Sequence, residues 1–208
     1  MFSKILLCLI LGYICGCFST GYLIGKRNKV DISKYGSGNI GTTNALRTLG
    51  AKAGALTLLG DALKAVIPIL LVRLLFFRGY EYVELLSLYT GLGVVVGHNY
   101  PAWLKFKGGK GIAATGGAMA AFDPLIIPIG LPLFILIVAV TRYVSLGSLF
   151  VAVLFPVWIA ITHPGELHML MVALVFMILA FIKHRSNIKR LLNGTENKIG
   201  QKVKFENK

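Results

Sequence analysis

Residues 36–47 crowd Ser37, Asn39, Thr42, Thr43 and Asn44 between Gly36, Gly38, Gly41 and Arg47. The glycines let backbone approach a ligand closely, and successive free N–H groups form an anion-binding nest. A helical turn over 42–49 would point its positive N-terminal end at the same place. Arg47 adds a full charge on a planar fork that matches phosphate. An ordinary polar loop explains this density poorly, so the segment reads as an anion site. A second cluster, Lys107-Gly108-Gly109-Lys110-Gly111, follows Gly97-His98-Asn99-Tyr100-Pro101 and again joins bare backbone to ammonium groups. A tight glycine turn at a membrane edge accounts for its lysines but not for three glycines around Lys110. A third runs from Lys183 to Glu196, where His184, Asn187 and Leu191 share a face if the preceding helix continues. Lone His and Asn residues there are more often solvated, so this cluster is weak by itself.

Two nucleotide motifs are imitated and fail. Gly36, Gly38 and Gly41 with Asp61 match a dinucleotide fingerprint, but 26–35 is too polar for a buried strand and Asp61 opens an apolar helix. A phosphate loop of the nucleotide type needs Gly at 104 and Ser or Thr at 111, where the chain has Leu104 and Gly111.

The elements that must position these clusters are membrane helices. Of 208 residues, 56% are apolar and 14% charged, and the mean hydropathy is +0.75. A soluble domain is about a quarter charged, so a soluble globular enzyme is excluded. Apolar runs predict an all-α polytopic membrane protein, a single domain over 1–208, with about seven spans near 5–24, 54–77, 84–97, 111–122, 125–141, 146–162 and 167–183. The third and fourth are short, so the segment between them dips below the headgroups or the bilayer thins there. With the N-terminus outside, 18 of the 22 Lys and Arg fall on the cytoplasmic side, which carries all three polar clusters. The first apolar run continues past any cleavage site near Cys15 and Cys17, so it is a retained helix and not a signal peptide.

Charge and cysteine usage narrow the partners. The net charge of +14 spreads over membrane-edge loops without aromatic interleaving, which suits anionic lipid headgroups and not nucleic acid. Cys8, Cys15 and Cys17 lie in one apolar run and read as packing residues. Carboxylates are too few for a magnesium or calcium site, so no metal and no cofactor are expected. A proton acceptor is hard to find among Asp31, Asp61 and Glu196, leaving His98 or His184 as a base. No His is followed five positions later by Asp, the pattern of thioester-dependent acyltransferases. A transporter or channel for an anionic solute is the rival reading, disfavoured because the polar clusters gather on one face and no repeat is evident.

The strings Gly36-Ser37-Gly38-Asn39-Ile40-Gly41-Thr42-Thr43-Asn44 with Arg47, the second cluster with His98, and His184, Asn187, Gly194 and Glu196 resemble the three cytoplasmic motifs of the bacterial acyl-phosphate:glycerol-3-phosphate acyltransferases. The resemblance covers essentially the whole chain. It implies acyl transfer from a fatty acyl phosphate to the 1-hydroxyl of glycerol 3-phosphate, giving lysophosphatidic acid and phosphate at the start of phospholipid synthesis. It implies catalytic or phosphate-contacting roles for Ser37, Arg47, His184 and Asn187, and support from Gly36, Gly38, Asn39, Thr43 and Asn44. Lys107, Gly108, Gly109, Lys110 and Gly111 would hold a substrate phosphate, His98 would act as base or positioning group, and Glu196 would be structural. It further implies a bacterial inner-membrane location with the site facing the cytoplasm, a substrate phosphate as proton acceptor, and transient contact with the cytoplasmic enzyme that makes acyl phosphate.

Overall fold

The computed structural model describes residues 1–201; Lys202, Lys204 and Lys208, which contribute to the basic tail, lie outside the described residues. Among those residues every regular element is helical. Ten α-helices follow one another: α1 Phe2–Gly16, α2 Thr20–Arg27, α3 Thr42–Leu49, α4 Ala51–Leu71, α5 Val83–Asn99, α6 Ile112–Phe122, α7 Ile127–Thr141, α8 Val144–Thr162, α9 Leu167–Lys183 and α10 Arg185–Leu192. Each predicted apolar run is helical, the first broken at residues 17–19 between α1 and α2. Four stretches, Phe2–Arg27, Ala51–Phe76, Pro124–Thr141 and Val144–Thr162, are long and apolar enough to cross a membrane. A fifth is added if α9 and α10, bent by 61° at His184, form one span. α6 is shorter, 11 residues or about 16 Å.

Glycine sets the closest packing. Gly12 and Gly16 on α1 face Gly93 and Gly97 on α5, two pairs at four-residue spacing. A Cβ on Gly12 would stand 2.1 Å from Thr90 O, and one on Gly97 2.2 Å from Tyr13 O. In lipid, where apolar burial between helices yields little, such backbone contact drives association. α4 lies against α6 in the same way, with Gly117 pressed on the Ala62 carbonyl. The main core gathers residues of α4, α5, α6, α8 and α9, including Ile69, Val94, Met119, Phe155 and Phe176.

His98 and Asn99, expected in the aqueous segment after the third span, form the last turn of α5 and are buried. The glycine-rich segment folds back over them, with Gly108 N donating to Asn99 O at 3.2 Å and Gly109 N to His98 O at 3.1 Å. Those two bonds satisfy carbonyls that the end of α5 would otherwise leave open.

Candidate active site

The three clusters meet at one cavity of about 540 Å³. Its polar end is built first from α3. That helix starts at Thr42, as the sequence predicts, stops at Gly50 with φ +89°, and rests on α4 where Gly54 admits Leu46. Asn44 is 1% exposed and fully occupied. Its Oδ1 accepts from Ser37 N at 3.0 Å, while its Nδ2 donates to Ile32 O at 2.8 Å and Tyr35 O at 3.0 Å. Asn44 therefore shapes the loop that carries Ser37 into the cavity wall. Asn39, Thr42 and Thr43 line the same wall, and Thr42 Oγ1 is buried with no hydrogen-bond partner.

Arg47 projects into the cavity from the last turn of α3. One terminal nitrogen donates to Asn197 O at 3.2 Å, and its buried Nε has no hydrogen-bond acceptor. Burial lowers its pKa, nearby Glu196 opposes that and Arg190 reinforces it, yet a guanidinium stays charged. Unused donors on a half-buried cation leave room for an anion.

Lys110 approaches from the segment before α6 and donates to Asn187 Oδ1. Asn187 Nδ2 in turn donates to Glu196 Oε1 at 2.7 Å, which also accepts from Ser145 Oγ at 3.0 Å. Arg190 Nε reaches Glu196 Oε2 at 2.7 Å. Glu196 thus ties α8, α10 and the tail together beneath the lysine. Burial above all pushes the Lys110 pKa down to about 8; Glu196 raises it, while Arg190, Arg47 and Lys183 lower it. His184, beyond the end of α9, is pushed down to about 4 by burial and then by Lys110, so it is neutral at pH 7. Its Nδ1 lies 2.8 Å from Ala180 O, a pure acceptor, so that nitrogen carries the proton and Nε2 keeps its lone pair.

Of the residues singled out in the sequence, Ser37, Asn39, Thr43, Asn44, Arg47, His98, Lys110, Gly111, His184, Asn187 and Glu196 line the cavity. Gly36, Gly38, Lys107, Gly108 and Gly109 do not. Gly36 and Gly38 take positive φ of 59° and 70° in the turn behind Ser37. Lys107 is exposed. The backbone N–H groups of Gly108 and Gly109, expected to hold a substrate phosphate, are instead bonded to the end of α5. These glycines instead permit contact, since a Cβ on Gly109 would stand 2.1 Å from His98 Nε2.

The sequence reading missed two features. The cavity continues as an apolar trough walled by α4, α6, α7 and α8, with Ala62, Gly116, Ala120, Leu131 and Phe134 along it. Gly116 faces open space, with nothing within 4 Å of a Cβ placed there. Leu58 and Leu131 on its walls are exposed, so the trough opens sideways between α4 and α7. The second is the burial in the cavity wall of Asp61, which the sequence offers as a proton acceptor.

A cationic end continuous with a hydrocarbon trough defines a membrane-integral protein whose cavity can take an anionic group and an apolar chain together. The family model described as Glycerol-3-phosphate acyltransferase matches residues 6–194, and the chain belongs to that family of acyltransferases. It is 47% identical over 204 residues to the glycerol-3-phosphate acyltransferase of Clostridioides difficile (strain 630), covering 97% of this chain and 98% of the relative. Identity to the enzyme of the same name from Geobacter sulfurreducens (strain ATCC 51573 / DSM 12127 / PCA) is 42% over 189 residues, covering 91% and 94%. The crystal structure of PlsY (YgiH), an integral membrane glycerol 3-phosphate acyltransferase, in its glycerol 3-phosphate form superposes with a TM-score of 0.84. The two are 34% identical, and the match covers 94% of this chain and 96% of that one. The lysophosphatidic acid form of the same protein gives a TM-score of 0.82 at 34% identity, covering 94% and 95%.

Proposed function

We propose that this acyltransferase uses a fatty acyl phosphate as donor and esterifies the 1-hydroxyl of glycerol 3-phosphate at the cytoplasmic edge of a bacterial inner membrane. The observation that carries the reading is the union of Arg47 and Lys110 with the apolar trough in one cavity. Both substrates bring phosphate, and the donor also brings a long hydrocarbon tail. The tail lies in the trough, entering sideways between α4 and α7, while the phosphates gather at the cationic end. Arg47 and Lys110 bind them and offset the charge that grows on the departing phosphate. Ser37, Asn39, Thr42 and Thr43 supply short donors around them.

The acceptor oxygen attacks the acyl carbonyl, the carbon–oxygen bond to phosphate breaks, and the hydroxyl proton ends on the released phosphate. A phosphate group titrates near pH 6, whereas His184 titrates at about 4. The substrate phosphate is therefore the stronger proton acceptor, and His184 orients the acceptor through Nε2. The basic cytoplasmic rim meets, transiently, the enzyme that makes the acyl phosphate.

Purified protein in lipid, given labelled glycerol 3-phosphate without divalent metal, tests this reading. Lysophosphatidate should form from palmitoyl phosphate and not from palmitoyl-CoA. Arg47→Ala should lower the rate about 10²- to 10³-fold, the usual cost of removing one preorganised charge donor. Equal use of the thioester, or full activity of Arg47→Ala, would refute it.

A further inference from the structure

Asp61 and Lys64 are left over by the chemistry above. They stand one turn apart on α4, inside a spanning helix, and are 1% and 8% exposed. Charges buried at such depth are costly and usually serve a function. Lys64 Nζ donates to Phe18 O at 2.6 Å and lies 2.7 Å from His98 Nδ1. An ammonium only donates, so His98 Nδ1 accepts and the ring proton sits on Nε2, against Gly109. That tautomer has no lone pair to offer the cavity, which removes His98 as the base and makes it a prop for the Lys110 segment.

Asp61 is different. Its Oδ1 is paired in charge with Lys64 Nζ at 3.1 Å and lies 3.7 Å from His98 Nδ1. That oxygen is buried and held by Lys64, whereas among the described residues no hydrogen bond reaches the other carboxylate oxygen, Oδ2. The side chain lines the cavity between the cationic end and the trough. A carboxylate repels phosphate, so its natural ligand there is a neutral donor. Resting on the acyl-transfer reading, the acceptor offers two such donors, its hydroxyls, and the reaction consumes one. We propose that Asp61 receives the non-reacting 2-hydroxyl of glycerol 3-phosphate and selects that acceptor against phosphates of simpler alcohols. Lys64 balances the carboxylate's charge, which lets an acid sit in a phosphate cavity.

The test compares glycerol 3-phosphate with 3-hydroxypropyl phosphate, which keeps the reacting hydroxyl and lacks the other, using palmitoyl phosphate as donor. A hydrogen bond to a charged group implies a preference of roughly 10- to 100-fold in kcat/KM for glycerol 3-phosphate in the wild type. Asp61→Asn, equal in shape and uncharged, should reduce that preference about tenfold, mainly by slowing glycerol 3-phosphate. Asp61→Ala combined with Lys64→Met removes both charges, avoids a lone buried ammonium, and should abolish the preference. A wild type indifferent to the 2-hydroxyl, or a variant that keeps the wild-type ratio, overturns the assignment. A wild type that transfers acyl groups to neither acceptor contradicts the acyl-phosphate reading instead.

Discussion

Lys110 concentrates the electrostatic argument at the level of single residues. In water an ammonium titrates near 10.4; burial in the cavity brings Lys110 to about 8. Below that pH it is a cation able to hold phosphate, and above it the charge is lost. The kcat/KM for glycerol 3-phosphate should therefore fall as pH rises through about 8. Folding changes in the opposite sense. A lowered folded pKa means that the unfolded chain binds more protons between about 8 and 10.5, so stability rises with pH across that window. Melting curves that hold or improve from pH 7.5 to 9.5, beside a falling kcat/KM, separate the two effects. Lys110→Arg, charged throughout because its pKa exceeds about 12, should lose the alkaline limb while running more slowly, since a planar fork cannot sit on Asn187 as an ammonium does. An alkaline limb retained in that variant would assign the titration to another group.

Glycines govern the elements, and two predict opposite outcomes. Gly109 lies against His98 Nε2, where a Cβ would stand 2.1 Å away. Gly109→Ala must push the Lys110 segment off α5, costing about 1–3 kcal/mol as overpacking does. It should appear both as a lower melting temperature and as a raised KM for glycerol 3-phosphate. Gly116 meets nothing within 4 Å, so a side chain there leaves α6 packing unchanged and enters the trough. Gly116 is five residues past Gly111, about 7.5 Å along the helix. An extended chain advances about 3.6 Å per three bonds, so this distance spans about six bonds of an acyl tail. Gly116→Leu should keep the wild-type melting temperature, accept hexanoyl phosphate, and lose most activity with palmitoyl phosphate. Measured across donors of increasing length, an unchanged profile would mean that the tail lies elsewhere. None of this was visible from spacing, because glycine in a loop and glycine in a helix looked alike until the neighbouring carbonyls were placed.

For the whole molecule, the legible part was what local chemistry dictates. Apolar runs located every long helix, the density of small polar residues located Ser37 and Arg47, the glycine–lysine run located Lys110, and the family resemblance singled out His184 and Asn187; the fold gathers all five at one cavity. The trough escaped because it is a tertiary surface made from one face each of α4, α6, α7 and α8, and none of those faces is marked by polarity. Asp61 is legible as a proton acceptor near the start of its span; its burial against Lys64 in the cavity wall is a tertiary fact that spacing does not carry. Orientation rests on a global count that local packing does not decide, and it has a direct test. The cavity mouth is formed by 37–47, Lys110 and 184–196, and exposed Lys26, Lys34, Lys107 and Lys189 belong to the same ends of the helices. The opposite ends carry Glu81, Asp123 and Glu166. The proposed orientation, argued from the positive-inside rule, turns the mouth toward the cytoplasm, where a water-soluble acceptor would be supplied. With Cys15 and Cys17 changed to Ser and fully buried Cys8 kept, single variants Lys34→Cys and Glu166→Cys report each side. A membrane-impermeant maleimide should label Glu166→Cys in intact cells, and Lys34→Cys after the membrane is opened. Reversed labelling would put the cationic end outside, away from cytoplasmic glycerol 3-phosphate, and would contradict both the charge rule and the proposed reaction.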